Sequence, residues 1–413
     1  MSIALPTLSV AIRFVGGADN DGWALGSSPL PTQLGEPDDA SVYENVYADV
    51  RGLTMSRGRS RELEQYQAGT GSVVLDNRLR NYDPLNLSGD HVADGVTQIQ
   101  PGRRIRIKAT HPTTSVVYDL FYGVIRDWEL DYDGGGLDAT SRAQFSDALT
   151  DLGRTEVNVT TRAGLSGLAA ADILDDANVS RVDVDGGIST LQATTFSGTK
   201  ALAALQRTAT SDQGAVYVDH SGFIQYDDRH ALLRETRSRT SRFTFGAGNL
   251  PIQDISLDYS TDLVKNSVTA TRSGGSKQSA SDADSIIEYG ALSYSLPNMM
   301  VSTDSAALAT AEYILAGYKD PDVRVRKITI APQTHADLMT AALSLELRDR
   351  VTVTFAPPGG GSAISQQLFV ERIQHRISPA NQMTTDLTFS STDTSFGWIL
   401  GVSELGTGSI LAF

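Results

Sequence analysis

Residues 56–128 restrict the fold more than any other part of the chain, because they read as a string of short strands and specified turns. The stretch opens with Ser56-Arg-Gly-Arg-Ser-Arg61 and continues with Gly69-Thr-Gly-Ser-Val-Val-Leu-Asp-Asn77. Ser72-Val-Val-Leu75 is short, apolar and β-branched, the composition of a buried strand. Asp76-Asn77 ends it, since both side chains can bond their own backbone in a turn. Asn81-Tyr-Asp-Pro84 makes a second turn, with Pro84 pushing Asp83 out of the helical region. Arg104-Ile-Arg-Ile-Lys108 alternates strictly, which predicts one apolar and one basic face. Residues 121–132 predict a long strand in which Gly123 marks a bulge or a close approach of backbones.

The pattern continues on both sides. Residues 8–15 and 46–53 read as strands, and 16–39, rich in Gly, Pro, Ser and Asp, as a long loop or arm. Such a stretch either serves an interaction or is a solvated insertion. Residues 136–162 read as further strand and loop. The middle of the chain differs. Residues 164–178 predict a helix with Ser166 as N-cap, and 199–211 a better one, capped by Thr199 and followed by Gly214. Residues 215–226 alternate around Asp219-His-Ser-Gly222, a β-hairpin signal. Residues 231–250 read as connectors with a short strand at 243–245, 255–259 and 265–271 as strands, and 273–284 as a flexible polar loop. The strongest helix is 304–318, with Leu308, Ala311, Ile314, Leu315 and Tyr318 on one face, Asp304 as cap and Pro321 as stop. From 323 onward the chain reads as all β. The end, 396–413, is apolar and is expected to dock on its own chain or a neighbour.

A chain of 413 residues predicts two to four domains. Its 49 acidic and 34 basic residues give a net charge of −15, which argues against a non-specific nucleic-acid binder. Arg51–Arg61 with Arg103–Lys108 could still form a local basic patch, or could sit on solvated strand faces. Without cysteine there is no thiol nucleophile, disulfide or thiolate metal site. Met1-Ser-Ile-Ala-Leu-Pro6 has no basic region leading an apolar core, so no signal peptide is expected. No run approaches the roughly 18 apolar residues of a membrane span.

Catalytic patterns are absent: no Gly-x-Ser-x-Gly elbow and no phosphate-binding P-loop, Ser197-Gly-Thr-Lys200 being only a loop into a helix. The six histidines (91, 111, 220, 230, 335, 375) never pair at helical spacing and are expected in loops or at the surface. Asp131-Tyr-Asp-Gly-Gly-Gly136 and Asp183-Val-Asp-Gly-Gly187 fail the EF-hand pattern, which would need acids where Arg142 and Thr194 stand. No catalytic, cofactor-binding or metal-binding residue is therefore expected. Trp23, Trp128 and Trp398 would be stacking platforms if the chain were a carbohydrate-binding adhesion module, and are otherwise packing anchors.

Taken in order, these pieces resemble the tail-tip hub and minor tail proteins of long-tailed phages. The resemblance rests on the arginine-glycine segment at 56–61, Gly69-Thr70, Val74-Leu-Asp-Asn77, Tyr82-Asp-Pro84, Pro101-Gly102, Ile105, Ile107 and Phe121-Tyr-Gly-Val-Ile-Arg-Asp-Trp128. It continues through the helix, hairpin and Arg229 of the middle, and through Arg348-Asp-Arg-Val-Thr-Val and Val370-Glu-Arg-Ile-Gln-His-Arg-Ile377. Arg372 and Met383 depart from it, standing where the family usually has glycine and tryptophan. The resemblance implies a mainly β fold with an α+β insertion: two β-barrel-like domains plus a smaller helical and hairpin region. The domains expected are 1–150 with its arm at 16–39, an α+β middle at 151–250, a second barrel-like domain at 251–395, and the tail 396–413. The implied role is a structural, non-enzymatic virion protein at the tail tip, assembled in the host bacterial cytoplasm and serving host attachment and DNA ejection. Three copies would form a ring, with a hexameric distal tail protein as the alternative. Its partners would be the distal tail protein, the tape measure protein and other tail-tip proteins.

Overall fold

The computed structural model describes residues 5–14, 43–378 and 382–392, with the backbone of 397–398 and 410–411. The arm at 16–39 and most of the apolar tail lie outside the described residues. The chain is mainly β, and the alternation seen in its strands builds one large sheet of 13 strands. From one edge to the other it runs Asp254–Asp258, Arg324–Ile330, Met383–Ser391, Ile364–Ile377, Val50–Gly58, Gln67–Asp76, Ala139–Ser146, Val117–Tyr132, Arg104–Thr110, Thr7–Arg13 and Glu44–Asn45. Arg350–Phe355 pairs with the first half of Ile364–Ile377 and carries Thr244–Gly246 in parallel. The second half of Ile364–Ile377 pairs antiparallel with Leu53–Gly58, so strands from the two ends of the sequence share one ladder.

The inner face of this sheet is apolar. Val10, Ile12, Leu53, Met55, Val73, Leu75, Ile105 and Ile107 from the first part of the chain meet Ile328, Ile330, Val351, Val353, Val370 and Leu387 from the last part in one core. The outer face carries Thr54, Ser56, Ser72, Gln144, Gln374 and Thr388, none of them fully buried. Gly123 lies at a close approach as expected, since a Cβ there would stand 2.4 Å from the Ser146 carbonyl oxygen. The same strand pair is irregular at Ile125/Asp127.

A second core gathers the middle of the chain. The helices Ser166–Asp176 and Ala201–Asp212 and the hairpin strands Ala215–Val218 and Ile224–Asp227 pack there. They are joined by the helix Asp304–Tyr318 and a three-stranded sheet of Ser267–Arg272, Gln278–Ser281 and Ser293–Met299. Helix 304–318 thus buries Ala307, Ala311 and Ile314 with the middle segment.

Several local expectations are corrected. The all-β end contains a helix, Ala336–Ser344, which buries Leu338, Met339 and Leu343 in the large-sheet core. Its sequence is rich in Ala and Leu, and the His335 ring accepts from the Asp337 N–H at 3.2 Å to cap it. The 273–284 loop is ordered as the strand 278–281 and the start of the helix Ala283–Tyr289, capped by Asp282. A one-turn helix, Ala148–Leu152, follows the 139–146 strand, and a 3-10 turn, Tyr47–Asp49, precedes Val50–Gly58. Neither Ser166 nor Thr199 caps a helix. Ser166 Oγ instead donates to the buried Asp212 carboxylate at 2.7 Å, a partner that outranks a local backbone group. Thr303, not Asp304, caps the 304–318 helix, and Asp304 pairs with Arg272 from its first turn.

Candidate functional site

The arginine-glycine segment at 56–61 turns inward. Arg57 and Arg59 leave the end of their strand on the face that meets the middle of the chain. Arg57 Nη1 donates to Glu346 Oε1 at 2.7 Å and to the Val218 carbonyl at 3.3 Å. Glu346 also accepts from the Leu347 N–H at 2.7 Å, the His220 N–H at 2.9 Å and the His220 ring. Burial alone would raise this carboxyl, but Arg57 and His220 outweigh it and hold it well below the usual range. His220 sits in the turn of the 215–227 hairpin. Burial lowers its pKa and Glu346 raises it, with a net upward shift.

Arg59 grips Glu371 with both arms, Nε to Oε2 at 2.7 Å and Nη2 to Oε1 at 2.9 Å. Tyr66 Oη and Ser390 Oγ complete that carboxylate at 2.5 and 2.6 Å. Nearby, Arg348 meets Asp227 at 2.9 Å, Tyr217 donates to the same carboxylate at 3.0 Å, and Arg324 meets Glu62 at 2.7 Å. These clusters link residues up to 312 positions apart at the seam between the two cores. They form a structural clasp in which every charge has a partner.

Most of the cations of Arg51–Arg61 and Arg103–Lys108, which could form a basic patch or sit on solvated strand faces, are engaged. Arg51 pairs with Asp76 and Asp138, Arg57 with Glu346, Arg59 with Glu371 and Arg61 with Asp262. Arg103 is held by Gln98 and Gln100, and Lys108 by Asp119.

A cleft of about 280 Å³ opens instead on the outer face of the large sheet. It is lined by Arg326, Lys327, Arg372, Gln374, Asp386 and Thr388, with Ser60 and Ser256 at its rim. Arg372 Nε donates to Ser56 Oγ at 2.7 Å and Nη1 to Ser60 Oγ at 3.3 Å. Lys327 and Arg376 share the buried Asp386 carboxylate at 3.1 and 3.0 Å. Burial would raise that carboxyl, but Thr329, Lys327 and Arg376 keep it below its ordinary value.

Other sequence candidates have structural uses. Trp128 packs against the large core, and its indole donates to the Gln100 carbonyl at 3.1 Å, so it is an anchor. Trp23 and the Trp398 side chain lie outside the described residues. The expectation that all histidines lie in loops or at the surface is corrected for one, His375, while His91 and His111 lie in loops but are buried there. His91 is buried against Phe14 and Tyr82, His111 is buried beside helix 336–344, and His375 is buried within a strand. In the 197–200 loop, Lys200 Nζ is engaged by Glu156 and the Arg154 carbonyl. Asp133 accepts from Leu137 and Asp138 N–H groups within its own turn, and Asp185, the second aspartate of the other loop, pairs with Arg234. Among the described residues no group of His, Asp or Glu is arranged to hold a metal ion, and no helix is long and apolar enough to cross a membrane.

The cleft and the clasp were not foreseen. An acid at 371 between Val370 and Ile373 hints at a buried carboxylate, but its arginine partner cannot be read from spacing.

No family model matches the sequence, and no curated protein sequence matches it. Solved structures do match in fold. The tail protein from Neisseria meningitidis MC58 is 12% identical, with a TM-score of 0.57, over 93% of this chain and 96% of that one. The 43 kDa tail protein of prophage MuSo2 from Shewanella oneidensis is 14% identical, with a TM-score of 0.55, over 83% of this chain and 95% of that one. Across most of its length this chain therefore has the fold seen in these solved tail proteins.

Proposed function

We propose that this chain is a structural subunit of a phage tail tip. In this reading three copies form the hub ring below the tail tube, help to close and gate its channel, and anchor other tail-tip or receptor-binding proteins. The observation that carries it is the end-to-end overlap with the fold of the Neisseria tail protein, 93% of one chain on 96% of the other. That overlap accompanies a sequence resemblance to the hub family that begins in 56–128 and continues down the chain. The clasp supports a mechanical rather than a chemical task. Its carboxylates are engaged by arginines, tyrosine, serine and histidine, which suits a structural tie. Leu79, Leu85, Leu87 and Leu137 stay exposed at the end of the sheet, apolar surface of the kind an assembling subunit covers.

The test is the mass of the purified chain in solution, with electron micrographs of whatever forms. Trimers, or three copies per tail, are expected. Six copies would move the chain to the distal tail ring. A monomer that never enters a tail would leave the likeness as one of fold alone.

A further inference from the structure

The cleft on the outer sheet face has an unusual charge balance for a chain with 49 acidic and 34 basic residues. Four cations, Arg326, Lys327, Arg372 and Arg376, stand around one carboxylate, Asp386. Asp386 is engaged by Lys327 and Arg376. Arg372 is oriented by the hydroxyls of Ser56 and Ser60 and meets no carboxylate among the described residues. Arg326 is exposed and makes no ion pair among them. Two guanidinium groups without carboxylate partners thus share a concave site with Gln374, Thr388, Ser60 and Ser256, all able to donate hydrogen bonds. Planar forked donors flanked by hydroxyls and an amide are the chemistry that recognises an oxyanion. Arg372 takes its place because the strand pair 364–377/383–391 shifts register between Val370 and Arg372. That shift leaves Glu371 buried and brings Arg372 to the outer face.

We propose that this cleft is an oxyanion-binding site whose occupant is an Asp or Glu side chain of a second copy of this chain. The choice of occupant rests on the assembly reading above and on charge complementarity. Each copy carries 49 acidic residues against 34 basic ones, so a second copy is a ready source of carboxylates complementary to the cleft's arginines. The volume, about 280 Å³, exceeds what one carboxylate fills and leaves room for the residues that carry it.

The test compares wild type with Arg326→Gln/Arg372→Gln. Arg142→Gln, which removes an arginine paired with Glu129 on the same sheet, serves as control. Unfolding curves first establish that all three proteins fold alike. A fluorescent hexaglutamate peptide is the direct probe. Wild type and the control are expected to bind it in a salt-sensitive manner, and the double variant at least tenfold more weakly. Self-association, followed by mass against protein concentration, is expected to need at least tenfold more of the double variant. Equal hexaglutamate binding by all three proteins overturns the site. If peptide binding is lost but assembly is unchanged, the second copy is overturned as occupant. If wild type binds the peptide through these arginines yet never assembles, the assembly reading and the second-copy occupant fall together, and the oxyanion chemistry stands.

Discussion

At the scale of single residues, two positions beside the clasp set its tolerance. Gly58 lies between Arg57 and Arg59 with φ of 114°, and a Cβ there would sit 2.0 Å from the Glu371 carbonyl oxygen. Both the backbone conformation and the contact exclude a side chain. Gly58→Ala is expected to cost about 3 kcal/mol or more, combining backbone strain and displacement of the Glu371 strand. Gly134→Ala, where a Cβ would meet nothing, should stay within about 0.5 kcal/mol. Urea unfolding of both variants checks this, and equal midpoints would refute the close approach. His220 makes a second prediction. Its folded pKa is raised above 6.5, with burial working against the shift and Glu346 driving it. A group raised in the folded state stabilises fully below its unfolded pKa and loses that contribution as pH climbs through the folded value. The stability lost in His220→Gln should therefore be larger near about pH 5.5 than near about pH 8.5. His375 acts in the opposite sense. Burial lowers it to about 3, so it opposes folding increasingly as pH falls below 6.5. For that reason the comparison of wild type with variant, not the wild-type profile alone, isolates His220. A difference that does not change with pH would refute the charged His220–Glu346 contact.

At the scale of elements, the Arg59–Glu371 pair is where two strands distant in sequence are tied together. Removing one partner leaves a buried charge alone, whereas removing both does not. Arg59→Leu and Glu371→Leu are each expected to cost about 3–5 kcal/mol, and the double variant clearly less than their sum. A double-mutant cycle in urea measures the coupling, and additive costs would show that the pair does not act as a unit. Strands such as 72–75, 104–108 and 350–355 were legible because burial on one face writes itself as alternation. Helix 304–318 was legible for the same reason at a period of 3.6. Helix 336–344 was not, because nine residues between two strong strands offer too short a periodic run. The caps were misassigned because Ser166 was read against its own backbone, while a buried aspartate 46 positions away claimed its hydroxyl. The clasp was invisible for a general reason: the arginines of 56–61 announce that charge is present, but the register between 53–58 and 372–377 decides which carboxylate receives it.

At the scale of the whole molecule, the sequence reading of two barrel-like domains and the continuous ladder of the large sheet lead to different expectations for unfolding. Separate domains would open at the boundary where they meet. In the structure that boundary is an antiparallel pairing of Leu53–Gly58 with Arg372–Ile377, backed by Met55, Ile373 and Ile377 in a core shared by both halves. The clasp lies at the end of the same pairing and reaches the second core through Arg57, which donates to the Val218 carbonyl. A seam built this way is held by ladder hydrogen bonds, by the core side chains Met55, Ile373 and Ile377, and by the adjacent Arg57–Glu346 and Arg59–Glu371 pairs. Native-state hydrogen exchange tests this directly. Amides donating across 53–58 and 372–377 should exchange with the same opening free energy as those across 104–110 and 350–355, which lie well within each half. Exchange at the seam that is faster by tenfold or more, about 1.4 kcal/mol, would mean that the halves open independently. The continuous sheet would then be a docking of two domains. Equal protection would make the two ends of the chain one cooperative unit.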